Sequence, residues 1–166
     1  MPRRRFAIVE QPIKAAALVA LIDGPINGAI CTFEGRVRDH TGDQSTTHLE
    51  YEAFAEMAET IFARIAAEAS DRTAITGMAI HHRVGQLEVG EVSVAVAVAA
   101  EHRAAAFEAC QFAVDQLKAN APIWKKEFTP DGSYWVEGPT PQGVPGRVGE
   151  GPTCNLGTDS DGRIQT

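Results

Sequence analysis

The segment Glu91–Ala100, EVSVAVAVAA, decides the fold of this chain. Branched and small side chains alternate along it, which is the period-two pattern of a β-strand. The large face carries Val92, Val94, Val96 and Val98, and the small face carries Ser93, Ala95, Ala97 and Ala99. A strand with one large and one small face is typical of the centre of a sheet, with a helix packed on one side. We therefore predict that the core is built around this strand.

Two amphipathic helices and a partner strand are predicted on either side of this segment. A strand over Ala74–Arg83 precedes this segment, and the connection between them contains Gly85 and Gly90. A helix over Glu101–Lys118 follows it and stops before Pro122, because a residue before proline avoids the helical conformation. A second helix is predicted over 54–70. The predicted core stripes are Met57, Ile61, Ile65 and Ala69 in that second helix, and Phe107, Cys110, Val114 and Leu117 in the helix after the central strand.

The other elements complete a mixed pattern without a strict strand–helix alternation. A helix is predicted over 13–22, after Pro12, and a polar loop over Asp39–Thr46. A hairpin is predicted to turn at 130–132. The remaining strands are predicted over Arg5–Glu10, Gly28–Arg38, His48–Phe54, Ile123–Phe128 and Ser133–Val136. This order predicts an α+β fold with a mostly antiparallel sheet and packed helices.

Length and composition limit the class of protein. The 166 residues predict one domain over 1–138, followed by a flexible, Gly- and Pro-rich tail over 139–166. The net charge of −7 argues against a general nucleic-acid binder, since such a chain repels phosphate at long range. The longest apolar run is too short to span a membrane. Three widely spaced cysteines without a zinc pattern indicate a reducing compartment, so we expect a cytoplasmic protein with no metal site and no cofactor.

Basic residues gather at the ends of the predicted elements. Few carboxylates lie at a spacing that would neutralise them, and cations without partners in an acidic protein suggest an anion site. Scattered surface residues are the alternative interpretation. His102 and Lys118 also fit simpler roles, as a helix cap and as a cation at a helix end. The cluster consists of Arg36, Arg38, Arg103, Lys118, Lys125 and Lys126, with His102 beside Arg103.

Alternation along the last predicted hairpin separates its two lysines. Neighbouring residues of a strand point to opposite faces, so only one of Lys125 and Lys126 can readily enter a given pocket. Lys125 shares its face with Glu127. A cysteine nucleophile is not expected, because Cys31 and Cys110 fall on apolar faces.

Five segments, in this order, resemble a known family. They are GAICTFEGRVRDH (28–40), LEYEAFAEMA (49–58), HRVGQLEVGE (82–91), EHRAAAFEAC (101–110) and LKANAPIWKKE (117–127). Together they are similar to the large, catalytic subunit of molybdopterin synthase, the MoaE family. The resemblance covers roughly residues 26–137 and leaves the tail and the Arg3–Arg5 run outside it.

The resemblance implies a function and partners. Such proteins have an α+β fold of the hammerhead type and form homodimers. Each end of the dimer binds a small ubiquitin-like sulfur-carrier subunit, giving a heterotetramer. The carrier's C-terminal Gly-Gly tail, as a thiocarboxylate, enters the large subunit's pocket. Its sulfur passes to cyclic pyranopterin monophosphate, and two rounds form the dithiolene of molybdopterin. The chain is thus expected to be a sulfurtransferase of molybdenum cofactor biosynthesis.

The resemblance also implies roles for individual residues. Lys118 and Lys125 match the lysines to which catalysis is assigned in the family. A neutral lysine could act as a base, and a protonated one could stabilise an oxyanion. The residues that match the family's substrate-binding positions are Arg36, Val37, Arg38, His102, Arg103, Lys126 and Glu127.

Two other classes of function stay open from the sequence. A non-catalytic adaptor could capture the tail of a ubiquitin-like carrier, although it would not require two lysines beside an arginine pair. An anion- or RNA-binding domain is disfavoured by the acidic charge and by the lack of aromatic residues interleaved with basic ones.

Overall fold

The computed structural model describes residues 4–136 and forms three helices and ten strands. The helices are α1 (Ala15–Ile22), α2 (Ala55–Arg72) and α3 (Arg103–Asn120). The strands are β1 (Phe6–Val9), β2 (Ala29–Arg36), β3 (His40–Thr41), β4 (Gln44–Ser45), β5 (His48–Ala53), β6 (Ile75–Arg83), β7 (Gly85–Glu88), β8 (Val92–Ala100), β9 (Ile123–Thr129) and β10 (Gly132–Val136).

The long strands form two four-stranded sheets. The first sheet has the order β1-β6-β8-β2, in which only β1 and β6 run parallel. The second has the order β10-β9-β5-β7 and is antiparallel throughout. The predicted α+β class with mostly antiparallel pairing is confirmed, although the strands divide between two sheets.

The strand over Val92–Ala100 lies inside the first sheet, as predicted, but helices cover both of its faces rather than one. Its valine face packs against α2 and α3, where Val96 and Val98 are buried. Its alanine face packs against α1, through Leu18 and Ile22. Short side chains on that face let a second helix approach the sheet closely. The strand is consequently buried from Ala95 to Ala100.

The core stripes of the two long helices differ from the predicted ones. Alanine takes buried places that the sequence pattern gave to larger side chains, because small residues let helix and sheet pack closely. Met57 and Phe107 are exposed instead, at 37% and 64% of their surface. The buried positions are Ala58, Phe62, Ile65 and Ala69 in α2, and Ala106, Ala109, Cys110, Ala113 and Leu117 in α3.

Two segments assigned to connections contain short strands. The loop over Asp39–Thr46 includes a two-stranded hairpin, β3–β4, that turns at Gly42 with a positive φ of 60°. Strand β7 occupies half of the eight-residue link between β6 and β8 and pairs with β5. The last hairpin forms as predicted: Pro130 and Asp131 make its turn between the paired residues Thr129 and Gly132, and Gly132 has a positive φ of 147°. The predicted tail, 139–166, lies outside the described residues.

No helix within residues 4–136 is both long and apolar enough to cross a membrane.

The corrected helix stripes predict opposite outcomes for two phenylalanines. Phe62→Ala removes a ring with no exposed surface and should lower the free energy of unfolding by about 3–5 kcal/mol. Phe107→Ala is the matched control and should change that free energy by less than about 0.5 kcal/mol, because its ring is mostly solvated. Urea unfolding followed by circular dichroism measures both. Equal losses would show that Phe107 is a core residue.

Candidate active site

A pocket of about 110 Å³ opens where the end of β2 meets the second sheet. Strand β9 contributes Lys125 and Glu127, which share a face because they are two residues apart. The segment after β2 contributes Arg38. The complete lining is Arg36, Arg38, Thr41, Thr46, Leu49, Tyr51, Lys125 and Glu127. The structure thus brings together four of the predicted site residues.

Glu127 is the buried charge of this pocket, with 1% of its surface exposed. Its Oε1 accepts a hydrogen bond from the Thr46 hydroxyl. Its Oε2 lies 3.8 Å from Lys125 Nζ and has no hydrogen-bond partner among residues 4–136. A buried carboxylate oxygen without a donor has a free lone pair at the pocket, so it is available to a donor group of a ligand.

The surroundings of Glu127 keep its carboxyl group ionised. Burial raises the pKa of this group, since a charge is poorly solvated inside a protein. The hydroxyls of Thr46 and Thr41 and the positive charges of Lys125 and Arg38 outweigh burial and lower the pKa below its ordinary value. The pocket therefore contains a fixed negative charge among cations.

The two arginines of the pocket differ in how firmly they are held. Arg36 donates to the Gly90 carbonyl at 3.2 Å and pairs with Glu34 at 2.5 Å. Arg38 makes no ion pair within 4.0 Å among the described residues and is exposed. Its guanidinium therefore has more free donors for an anion than that of Arg36.

Val37 is a buried residue that packs next to the pocket. Its side chain is 3% exposed and packs with Leu49 and Leu87. Its backbone N–H donates to the Glu91 carbonyl at 3.0 Å, and its carbonyl accepts from Gly90 N–H at 2.8 Å. Val37 is not among the residues that line the pocket, and both of its backbone groups already have a hydrogen-bond partner.

Lys126 lies on the other face of β9, as alternation predicted. Its Nζ is 5.1 Å from the centre of the Phe128 ring and 5.7 Å from that of Trp135. Contacts of this kind are cation–π interactions and hold the amine over the aromatic face, away from Glu127 and Lys125.

The remaining predicted residues lie on α3 and do not line this pocket. His102 is the N-cap residue, but its side chain makes no capping hydrogen bond. Arg103 begins the helix and Lys118 lies in its last turn, and both are exposed. Since an α-helix rises 1.5 Å per residue, Arg103 and Lys118 are about 22 Å apart along the axis. One small pocket in one chain cannot contact both ends of this helix.

The pocket includes residues that the sequence did not suggest. Thr41 and Thr46 come from the segment that was predicted to be a plain polar loop. Leu49 and Tyr51 come from β5, where they face β9 opposite Glu127 and Lys125. Leu49 and Tyr51 are two residues apart in LEYEAF, and such residues share a face of a strand. This spacing could have predicted that they line the same pocket.

Tyr51 connects the pocket to a buried histidine. Burial raises the pKa of its phenol, the hydroxyl of Ser93 opposes that change, and the negative charge of Glu127 adds to it. The phenol therefore stays protonated and can donate. The His82 ring packs edge-on against Tyr51, with centroids 5.0 Å apart, and its Nδ1–H donates to the Arg83 carbonyl at 2.8 Å.

The described part of the chain contains two cysteines, and both lie away from the pocket. Cys31 and Cys110 both pack in the core between the first sheet and helices α2 and α3, and neither lines the pocket. Burial raises the pKa of the Cys110 thiol to about 12, with Cys31 adding to the effect. Residues 4–136 contain no group of three or more His, Cys, Asp or Glu side chains placed to hold a metal ion.

Comparison with known proteins gives one consistent result. The family described as "MoaE protein" matches residues 8–120 of this chain. The chain belongs to the MoaE family. The molybdopterin synthase catalytic subunit of Nostoc sp. is 46% identical over 133 residues, which cover 79% of this chain and 81% of that protein. The Bacillus subtilis catalytic subunit is 41% identical over 80% of this chain and 84% of its own length.

Solved structures agree with this assignment. Molybdopterin synthase from Staphylococcus aureus superposes with a TM-score of 0.78 at 36% identity, over 81% of this chain and 98% of that chain. A complex of subunits 1 and 2 of molybdopterin-converting factor from Helicobacter pylori has a TM-score of 0.65 at 20% identity, over 81% and 91%, which shows the fold. The resemblance found in the sequence is confirmed, and the family makes this chain an enzyme subunit of molybdopterin biosynthesis.

The buried His82 predicts acid sensitivity. Burial lowers its pKa from 6.5 to about 4, against the opposing effect of its bond to the Arg83 carbonyl. Between these values the unfolded chain binds a proton that the native state does not. The free energy of unfolding should therefore fall as the pH drops from 6.5 to 4, by on the order of 3 kcal/mol.

His82→Gln should flatten this dependence, as measured by urea unfolding at several pH values. The control is His81→Gln, which changes the neighbouring, more exposed histidine and should keep the dependence. An unchanged slope in the His82 variant would show that other groups cause the acid sensitivity.

Proposed function

We propose that this chain is the catalytic subunit of a molybdopterin synthase. It acts as a sulfurtransferase and moves sulfur from a carrier's C-terminal thiocarboxylate to cyclic pyranopterin monophosphate. The observation that carries the proposal is the pocket in which Arg38, Lys125 and the buried Glu127 meet. The relatives named as molybdopterin synthase catalytic subunits support it. A cytoplasmic location belongs to the same proposal.

The chemistry of the pocket suits a reaction in which the sulfur arrives on a partner. Each round forms a carbon–sulfur bond at a pterin carbon that loses its bond to oxygen, and it breaks the acyl carbon–sulfur bond of the carrier. The oxygen displaced from the pterin leaves as water or with the phosphate. Water supplies the oxygen that completes the carrier's carboxylate. The chain then needs cations to bind anions, and groups that move protons or stabilise an oxyanion, but no thiol of its own.

Lys125 is the residue that we assign to the reacting atoms. Its Nζ lies in the pocket, 3.8 Å from the carboxylate of Glu127, which attracts positive charge towards the pocket. An ammonium in this position can stabilise negative charge on a thiocarboxylate or acyl oxygen and can give up a proton. Glu127 contributes to substrate binding through its free oxygen.

Arg38 is assigned to the phosphate of the substrate. A guanidinium donates two parallel hydrogen bonds to phosphate oxygens, and Arg38 has no competing ion pair among residues 4–136. Arg36 adds positive charge nearby while its own donors are largely occupied. Val37, between the two arginines in the chain, is buried against Leu49 and Leu87.

His102, Arg103, Lys118 and Lys126 remain proposed site residues although they lie outside this pocket. Resemblance to the family supports them. The exposed positions of His102, Arg103 and Lys118 leave them free to contact a substrate or partner. The proposal includes a homodimer that binds two copies of a small ubiquitin-like carrier ending in Gly-Gly.

The two adjacent lysines of β9 test the function. Lys125→Ala should slow single-turnover sulfur transfer by about 10²–10⁴-fold, the usual loss for a proton-transfer group. Lys126→Ala removes the same charge from the opposite face and should change the rate by only a few fold. The assay mixes the protein with thiocarboxylated carrier and the pyranopterin and measures molybdopterin.

Wild-type protein that binds the carrier tail but makes no molybdopterin would favour the non-catalytic adaptor. A Lys126 variant more damaged than the Lys125 variant would show that the other face of β9 holds the site.

Lys118→Ala separates catalysis from helix stability. Losing a cation in the last turn of α3 should lower the free energy of unfolding by only about 0.3–1 kcal/mol. If Lys118 acts in catalysis, sulfur transfer should fall by about 10²-fold or more while carrier binding persists. Rapid-quench assays and titration calorimetry measure the two effects. A near-normal transfer rate would show that Lys118 only stabilises the end of α3 and has no role in catalysis.

A further inference from the structure

Thr46 stands out among the residues around the pocket. Its side chain is 6% exposed, although it belongs to a polar loop segment. A hydroxyl has one proton to donate, and that of Thr46 goes to Glu127 Oε1. The hydroxyl is therefore already engaged before any substrate enters, so Thr46 acts through Glu127 rather than directly.

The backbone holds this hydroxyl at a fixed position. Thr46 N–H donates to the Asp39 carbonyl at 2.8 Å and closes the segment that contains the β3–β4 hairpin. The next residue, Thr47, donates to the Phe128 carbonyl from its backbone N–H at 2.8 Å and from its hydroxyl at 3.0 Å. Thr46 is thus fastened to β9 directly beside Glu127.

The bond from Thr46 determines which carboxylate oxygen faces the lysine. With Oε1 engaged, Oε2 is the oxygen that lies 3.8 Å from Lys125 Nζ. A carboxylate free to rotate would not keep that distance, and a protonated one would not attract the ammonium. We propose that Thr46 is a positioning residue, whose hydroxyl fixes the Glu127 carboxylate so that Glu127 holds the Lys125 amine in the pocket.

This inference rests on the proposed function, because it gives Thr46 a task in the same pocket. Several charged or titratable groups face Glu127 from different elements. Lys125 lies on its own strand, Arg38 follows β2, Tyr51 comes from β5 and Tyr134 from β10. Thr41 and Thr46 add hydroxyls from the hairpin segment. Among residues 4–136, the Thr46 hydroxyl is the group whose hydrogen bond to the carboxylate is formed.

Removing the Thr46 donor should change the titration of Glu127 in a known direction. Hydrogen bonds to an ionised carboxylate lower its pKa, so Thr46→Val should raise the pKa of Glu127. The ionised form is then lost at a higher pH on acidification. The acidic limb of the pH–rate profile should move to higher pH by the same reasoning.

The test compares variants that differ in one hydroxyl. Thr46→Val removes the donor and keeps the branched shape, whereas Thr46→Ser keeps the donor. Thr47→Val is the matched control, because it makes the same change one residue away, where the hydroxyl bonds a backbone carbonyl. Carbon-13 NMR follows the Glu127 carboxyl across pH, with Glu127→Gln identifying its signal, and single-turnover assays follow sulfur transfer from a thiocarboxylated carrier.

Thr46→Val should raise the pH at which the carboxyl titrates, shift the acidic limb to match, and slow transfer at neutral pH by about tenfold or more, as expected for one lost bond to a charged group. Thr46→Ser and Thr47→Val should follow the wild type. An unshifted carboxyl titration in Thr46→Val would overturn the inference.

Folding failure is also informative. If Thr46→Val does not fold, Thr46→Ala serves as a second variant without the donor, and failure of both would show that Thr46 is needed for the fold instead. A wild-type protein that transfers no sulfur would disprove the proposed function, while the carboxyl titration would still decide the positioning role of Thr46.

Discussion

The burial of β8 on both faces is the constraint from which the rest of the fold follows. A strand covered by helices on each side has no access to water, so its backbone N–H and C=O groups need partners within the sheet. Strands β6 and β2 provide them on either edge. The size of the side chains on each face then determines which helices pack there. Helix α1 covers the alanine face, and α2 and α3 cover the valine face.

The second sheet carries a different constraint, which is one buried negative charge. A carboxylate removed from water is costly unless charges and donors surround it. Glu127 meets this requirement with a hydroxyl from one segment and cations from two others. The same arrangement that makes burial of Glu127 tolerable gathers Arg38 and Lys125 at a single pocket. Under the proposed function, structural stability and substrate binding depend on one set of contacts.

Local periodicity predicted those features that depend on neighbours in sequence. The alternation in β8 and β9 correctly gave the large and small faces of β8 and the separation of Lys125 from Lys126. It failed where alanine fills the core, since Ala58 and Ala106 carry no strong hydrophobic signal. It also missed β3 and β4, because strands of two residues are too short to show a period. The bond between Thr46 and Glu127 joins residues 81 positions apart, and no local pattern reports such a contact.

The two tryptophans of the chain, Trp124 and Trp135, both belong to the second sheet, on β9 and β10. They lie on the face that also carries Lys126, opposite the pocket. The helices and the first sheet contain none. Tryptophan fluorescence therefore follows the second sheet and carries no signal from the first sheet and its helices. Far-ultraviolet circular dichroism is dominated by the helices that pack on the first sheet. A change in tryptophan emission therefore reports on the sheet whose strands form the pocket.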